Sequence, residues 1–244
     1  LHTFDTPNGR KISVALEEMG LPYTVHTVDI TKDEQFNPDF LKLSPNNKIP
    51  AILDTEGPSA KPVSVFESGA ILIYLAEKTG KFLPTEPRAR IAVFEWLMFQ
   101  MAGFGPMPGQ VHHFLGLSNE DDKRYGLARY MKETRRLYGV MDLRLADHTF
   151  FAGEISIADF AILGWAWRHQ RHQVDLNDFP NVKRWRDAEY LMGYDLINEP
   201  WSGSHWPACA RPGGCPGFEQ DKLQTMYEQV LAGIRQVDAD NIVW

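Results

Sequence analysis

The chain has 244 residues, enough for one large domain or two, and 43% of them are hydrophobic, which supports a sizeable core. Its formal net charge of −7 excludes a non-specific nucleic-acid binder, which works through a basic field. No apolar run approaches the roughly 20 residues of a membrane-crossing helix. Leu1-His2-Thr3-Phe4-Asp5 lacks the basic and apolar regions of a secretory signal, and Leu1 stands where an initiator Met is expected, so the natural start is read as trimmed or unseen.

Residues 1–5 read as a short strand, and Thr6-Pro7-Asn8-Gly9 as a turn. Apolar positions Ile12, Val14, Ala15, Leu16 and Met19 then recur at helical spacing, and Gly20 with Leu21-Pro22 stops the helix. Tyr23 to Asp29 alternates as a strand, so the opening is a βαβ unit. Asp33 to Leu43 is a short polar helix or turn. The loop Asn46-Asn47-Lys48-Ile49-Pro50 runs directly into the apolar stretch Ala51-Ile52-Leu53. Ile49-Pro50 is therefore either a tight turn before a strand or a cis bond that faces the Ile49 backbone N–H and C=O outward, toward an extended peptide. Ala51–Asp54 and Val63–Phe66 read as a hairpin, and Ser68 as the N-cap of a helix from Gly69 to Thr79.

After the linker Phe82-Leu83-Pro84-Thr85-Glu86-Pro87 the period is helical to Ala188. One helix is expected over 88–101, an interruption rich in Gly and Pro over 103–113, and a long helix over 120–147. Ser156 caps a nearly apolar segment, Ile157 to Leu163, expected to be the buried central helix. Asp159 inside it needs a partner, most simply the N–H groups at the helix start. Another helix begins at Phe179-Pro180. His112-His113 have no cysteine or acidic cluster about them, so no metal site is expected.

At Glu189 the character changes. Residues 189–244 carry 8 acidic and 3 basic residues, a net of −5, whereas the preceding 188 are nearly neutral. Gly193 to Trp201 reads as a strand, residues 202–217 as a loop, Phe218 to Gln236 as an amphipathic helix and Asn241 to Trp244 as the start of a strand. Both cysteines, Cys209 and Cys215, fall here, with five residues between them and a small disulfide loop open to them; the cysteine-free first 208 residues suit a cytoplasmic protein instead.

Thr6-Pro7-Asn8-Gly9-Arg10-Lys11, Ser44 to Pro50, Phe66-Glu67-Ser68-Gly69-Ala70, Phe99 to Pro106, His112-His113 and Ser156-Ile157-Ala158-Asp159 together resemble the glutathione transferase superfamily, and within it the nu class with its disulfide-bond reductase activity. The resemblance covers residues 1–188. It implies an α/β chain with a thioredoxin-like βαβ-ββα domain at 1–80 that binds glutathione and an all-helical domain at 88–188. It also implies a cytoplasmic homodimer that engages no nucleic acid and no membrane, a cis Pro50, and glutathione attacking a disulfide or electrophile.

By that resemblance Thr6 and Asn8 donate a hydroxyl and an amide N–H to the glutathione sulfur, holding it as thiolate. Ile49 pairs with its backbone, Glu67 meets the γ-glutamyl amine, Ser68 takes the carboxylate beside it, and Lys48 meets the carboxylate at the other end. Gln35 is a further contact, and Arg136 reaches the partner subunit's ligand. Each has a plainer reading: Asn8 as a turn residue, Lys48 as a solvated cation, Ser68 as a cap alone. Residues 190–244 resemble part of a (β/α)8-barrel glycoside hydrolase of the endoglycoceramidase kind, with Glu199 of Asn198-Glu199-Pro200 in the place of its acid/base. Such hydrolases need a second carboxylate close by, and most of the barrel is missing, so the segment alone is expected to be inactive. The chain is then read as a chimera. The competing functions are a glycosidase acting on glycolipids and a non-catalytic glutathione-binding protein.

Overall fold

The computed structural model describes residues 1–188, of which Leu1–Trp185 form one compact unit. Everything expected of residues 189–244, including Glu199, the pair Cys209 and Cys215, and the strand–loop–helix pattern, lies outside the described residues.

Four strands form one mixed sheet: β1 (His2–Thr3), β2 (His26–Thr27), β3 (Ala51–Asp54) and β4 (Val63–Phe66), in spatial order β2-β1-β3-β4. β1 and β2 are parallel, as the helical crossover between them requires. β3 runs antiparallel to both of its neighbours, with His2 opposite Ala51 and Ala51 opposite Phe66. This register decides where the site lies. The end of β1, the start of β3 and the end of β4 all fall on one edge of the sheet. Three segments leave from that edge: Thr6-Pro7-Asn8, Ile49-Pro50 and Glu67-Ser68.

Helix α1 (Pro7–Met19) has Thr6 as N-cap, its hydroxyl accepting from Gly9 N–H at 3.1 Å, and Pro7 in the first turn, where a missing N–H costs nothing. Gly20 ends it with φ 71°, a left-handed residue of the kind glycine supplies at helix ends. The short α2 (Pro38–Leu43) follows two 3₁₀ turns, and α3 (Ser68–Thr79) closes the first half. The second half holds α4 (Pro87–Phe99), a π-helical segment at Gln100–Phe104, α5 (Pro106–Leu115), the long α6 (Glu120–Ala146), α7 (Ile157–Ala166) and α8 (Pro180–Arg186).

All ten residues of α7 are buried, and its core joins that of α1, α3 and α4 in one cluster containing Ile12, Leu16, Ile71, Leu72, Leu97, Ile157, Phe160 and Ala161. Ser156 and Asp159 form a capping box, each satisfying the other's N–H. Asp159 also accepts from Phe151 N–H and from the Trp185 indole, which ties α7 to the preceding turn and to α8. Burial pushes its carboxyl up to about 6, against these donors, which favour the charged form.

Several expectations are corrected. Strands expected over 1–5 and 23–29 shrink to two residues each, because the flanking backbone turns into the cap of α1 and the loop before the 3₁₀ turns. The first residue outside α3 is Glu67, with φ 69° and no side-chain cap bond; Ser68 lies inside the helix and its hydroxyl serves another purpose. The Gly/Pro-rich stretch 103–113 does not break the helix over most of its length. It is a π turn followed directly by α5, whose Pro106 sits in the first turn.

Candidate functional site

Thr6 and Asn8 stand half-buried at the start of α1, Ile49 precedes the cis Pro50 at the start of β3, and Glu67 and Ser68 open α3. The structure thus brings five of the eight expected residues to one edge of the sheet, and side chains link them. Asn46 Nδ2 donates to Glu67 Oε1 at 3.2 Å, tying the loop before Pro50 to the start of α3. Ser44 Oγ donates to the Lys48 carbonyl at 2.8 Å and fixes the backbone there, while the Lys48 side chain is exposed in the same loop. Glu67 holds its left-handed φ without being glycine, a conformation costing about 1–3 kcal/mol that persists where the surroundings impose it.

Asn8 is oriented from the far half of the chain. The Trp165 indole N–H donates to Asn8 Oδ1 at 2.9 Å. With its oxygen taken, the amide turns its NH2 donors the other way. Gly105 makes room for this arrangement: a Cβ there would lie 2.8 Å from Gln100 Nε2 and 3.4 Å from Trp165 Nε1. The Gly/Pro-rich motif before α5 therefore seats the indole. Gly164 does the same between helices, since a Cβ would meet the Pro7 carbonyl at 2.6 Å and hold α7 away from α1.

Behind Trp165 the rings of His112 and His172 stack 4.9 Å apart, and His172 Nδ1 shares a 2.9 Å hydrogen bond with the Tyr138 hydroxyl. Nε2 of each imidazole is buried without a hydrogen-bond partner among the described residues. Burial pushes His112 down to about 4 and His172 to about 3, with nearby Arg168 and Arg171 acting the same way. Both are neutral at pH 7. A folded-state value below the unfolded one gives stability that is full above about 6.5 and is lost as pH falls toward the folded value. At pH 5 the loss for His172 is about 2 kcal/mol. The urea midpoint is therefore expected to fall steadily below pH 6.5, and His172→Gln to flatten that fall; an unchanged slope in the variant refutes the assignment.

Lys11 escaped the sequence reading. It is 1% exposed, and its Nζ donates to Gln100 Oε1 at 2.6 Å and to Ser68 Oγ at 3.2 Å. Its spacing on α1 already placed it beside Ile12 and Ala15 on the apolar face, the signal that was available.

Two expected residues are held elsewhere. Gln35, in a 3₁₀ turn, donates to Asp33 at 3.4 Å, and its Oε1 is buried without a partner among the described residues. Arg136, on the exposed face of α6, forks onto Glu133 at 2.8 and 2.7 Å.

A four-stranded thioredoxin-like sheet with Thr6, Asn8, Ile49, Glu67 and Ser68 gathered at one edge, backed by a helical bundle, is the architecture of a glutathione-transferase-type protein. The chain belongs to the glutathione transferase family. Residues 6–78 match the glutathione S-transferase N-terminal domain and 106–189 the C-terminal domain. The chain is 49% identical over 191 residues to the disulfide-bond oxidoreductase YfcG of Escherichia coli K12, covering 77% of this chain and 87% of that protein. It is 36% identical over 206 residues to the disulfide-bond oxidoreductase YghU of the same organism, covering 76% and 75%. A crystal structure of a Pseudomonas putida glutathione transferase, with one glutathione disulfide bound per subunit, superposes with a TM-score of 0.71 at 44% identity, covering 76% of this chain and 83% of that one. Among the described residues no helix is long and apolar enough to cross a membrane.

Proposed function

We propose that the chain is a glutathione-dependent disulfide-bond reductase of the nu-class type, with transferase activity toward electrophiles as the related chemistry. The observation that carries this reading is the orientation of Asn8: the Trp165 indole engages its oxygen and leaves the amide donors for an anionic sulfur. Glutathione, consumed as co-substrate, supplies the thiol and the reducing electrons; two molecules are oxidised to one glutathione disulfide as one substrate disulfide becomes two thiols. The residues present fit it. The Thr6 hydroxyl accepts from Gly9 and keeps its own proton to donate, the α1 N-terminus favours an anion, and neither Thr6 nor Asn8 titrates, so the thiolate is stabilised and not generated by a base. Ile49 offers its backbone, Glu67 an acceptor for the ligand amine, Ser68 the carboxylate seat, and exposed Lys48 a cation for the second carboxylate. Gln35 is assigned as a peripheral contact, and Arg136 as a group offered to the partner subunit's ligand in a cytoplasmic homodimer.

The test is turnover of 2-hydroxyethyl disulfide with glutathione, read as glutathione disulfide formed. Expected is catalysed reduction well above the uncatalysed rate. Binding of glutathione without turnover would make the chain a binding protein of transferase fold.

A second reading concerns residues 190–244, which we take to derive from a barrel glycoside hydrolase. Its support is the Asn198-Glu199-Pro200 motif together with the end of the family match at residue 189. No glycolipid hydrolysis is expected from so small a part of a barrel. Peptide mapping across Arg186 to Tyr190 tests the continuity of the chain.

A further inference from the structure

Lys11 is a buried cation held by neutral acceptors. Besides Gln100 Oε1 and Ser68 Oγ, its Nζ meets Met101 Sδ at 3.6 Å. A buried ammonium without an opposite charge in contact costs several kcal/mol relative to water, and methionine would fill the same space without that cost. Its Nζ partners and the group against its stem are Gln100 and Met101 from the π segment, Ser68 from α3, and Gly164 of α7, all uncharged. Glu67 is the charged group whose field reaches it, and its carboxylate is bonded to Asn46.

The missing partner is on the ligand side. Lys11 donates to Ser68, and Ser68 begins α3, where unpaired backbone N–H groups favour an anion. We propose that Lys11 is the buried counter-cation of this site: acting through Ser68, it holds the γ-glutamyl α-carboxylate of a bound ligand, and the arrival of that anion couples to protonation of Lys11. The inference rests on reading the site as a glutathione site. Lys11 is a positioning residue, since Ser68 stands between it and the ligand.

Burial pushes the Lys11 ammonium down to about 7, opposed by the field of Glu67. An anion docking nearby raises it. Binding then takes up a proton where the free protein is partly neutral, at pH 7 and above, and affinity weakens as pH rises through that range.

The experiment is titration calorimetry with S-methylglutathione, which has no thiol to ionise, in two buffers of different ionisation enthalpy between pH 6.5 and 7.5, where the ligand amine stays protonated. Expected are a small proton uptake at pH 6.5, rising to about half a proton at pH 7.5. N-acetyl-S-methylcysteinylglycine, which lacks the γ-glutamyl carboxylate and has no titrating amine, should bind without uptake. Lys11→Met should abolish the uptake and weaken S-methylglutathione about tenfold at pH 6.5. Binding of S-methylglutathione to the wild-type protein without proton uptake overturns the inference and leaves the glutathione reading standing; equal uptake with N-acetyl-S-methylcysteinylglycine, or in Lys11→Met, also overturns it. No binding at all overturns both. The wild-type arm decides the matter even if the variant fails to fold.

Discussion

Asp159→Ala is expected to lower the melting temperature by about 10 °C or more, roughly 3–5 kcal/mol for a unit of this size. The carboxylate accepts from Phe151 N–H at 3.3 Å, Ser156 N–H at 3.0 Å, the Ser156 hydroxyl at 3.1 Å and the Trp185 indole at 3.1 Å. Asp159 is fully buried, as are Phe151 and Trp185. Its removal takes away half of a capping box, worth about 1 kcal/mol, and leaves buried donors with no acceptor, at about 1–3 kcal/mol each before relaxation. Asp159→Asn keeps one acceptor oxygen and is expected to lose about half as much. Thermal unfolding followed by circular dichroism at pH 7 is the measurement. A fall of less than about 3 °C for the alanine variant would mean that water replaces the carboxylate and that α7 does not depend on this junction.

Asn8→Ala is expected to reduce kcat/KM for disulfide reduction by about 10- to 150-fold, the worth of one hydrogen bond to a charged sulfur. The glutathione Kd should move much less, because in the proposed site the amide meets only the sulfur, while Ile49 pairs with the ligand backbone and Glu67, Ser68 and Lys48 meet its amine and carboxylates. The sign of the pH effect is fixed by the same argument. Losing a donor to the thiolate favours the thiol, so the inflection of the rate profile moves to higher pH. Trp165→Phe provides the companion test. It keeps a ring against His112 and removes only the N–H that engages Asn8 Oδ1. A smaller loss with the same upward shift is expected, and in the double variant Trp165→Phe should add little to Asn8→Ala. Equal kcat/KM in wild type and Asn8→Ala across pH 6–9 would remove Asn8 from the chemistry.

The parts of this protein legible in its sequence are those encoded within a few residues. Thr6-Pro7 before a helical period and Gly20 after it mark both ends of α1, because capping hydroxyls and left-handed glycines act within one turn. Ser156 and Asp159, three residues apart, mark α7, and its unbroken apolar run announces complete burial. The order of strands and helices and the hairpin at 51–66 follow from the same local patterns, and the cis bond at Pro50 from the resemblance its neighbours carry.

The tertiary structure decided what depends on partners far along the chain. Asn8 meets Trp165 across 157 residues, and Lys11 meets Gln100 across 89. In sequence, Asn8 also has a reading as a turn residue, and Lys11 is marked only by its place beside Ile12 and Ala15 on the apolar face of α1. Which reading holds depends on the surfaces that α7 and the π segment bring against α1, and no local spacing records a facing surface. The Gly/Pro-rich stretch reads as a break for the same reason: Gly105 is small because an indole and an amide occupy its flank, not because the chain must turn there. Local hydrogen-bonding and periodicity thus set the elements, while long-range strand pairing gathered the candidate site at one edge of the sheet and long-range packing set which side-chain atoms there remain free to meet a ligand.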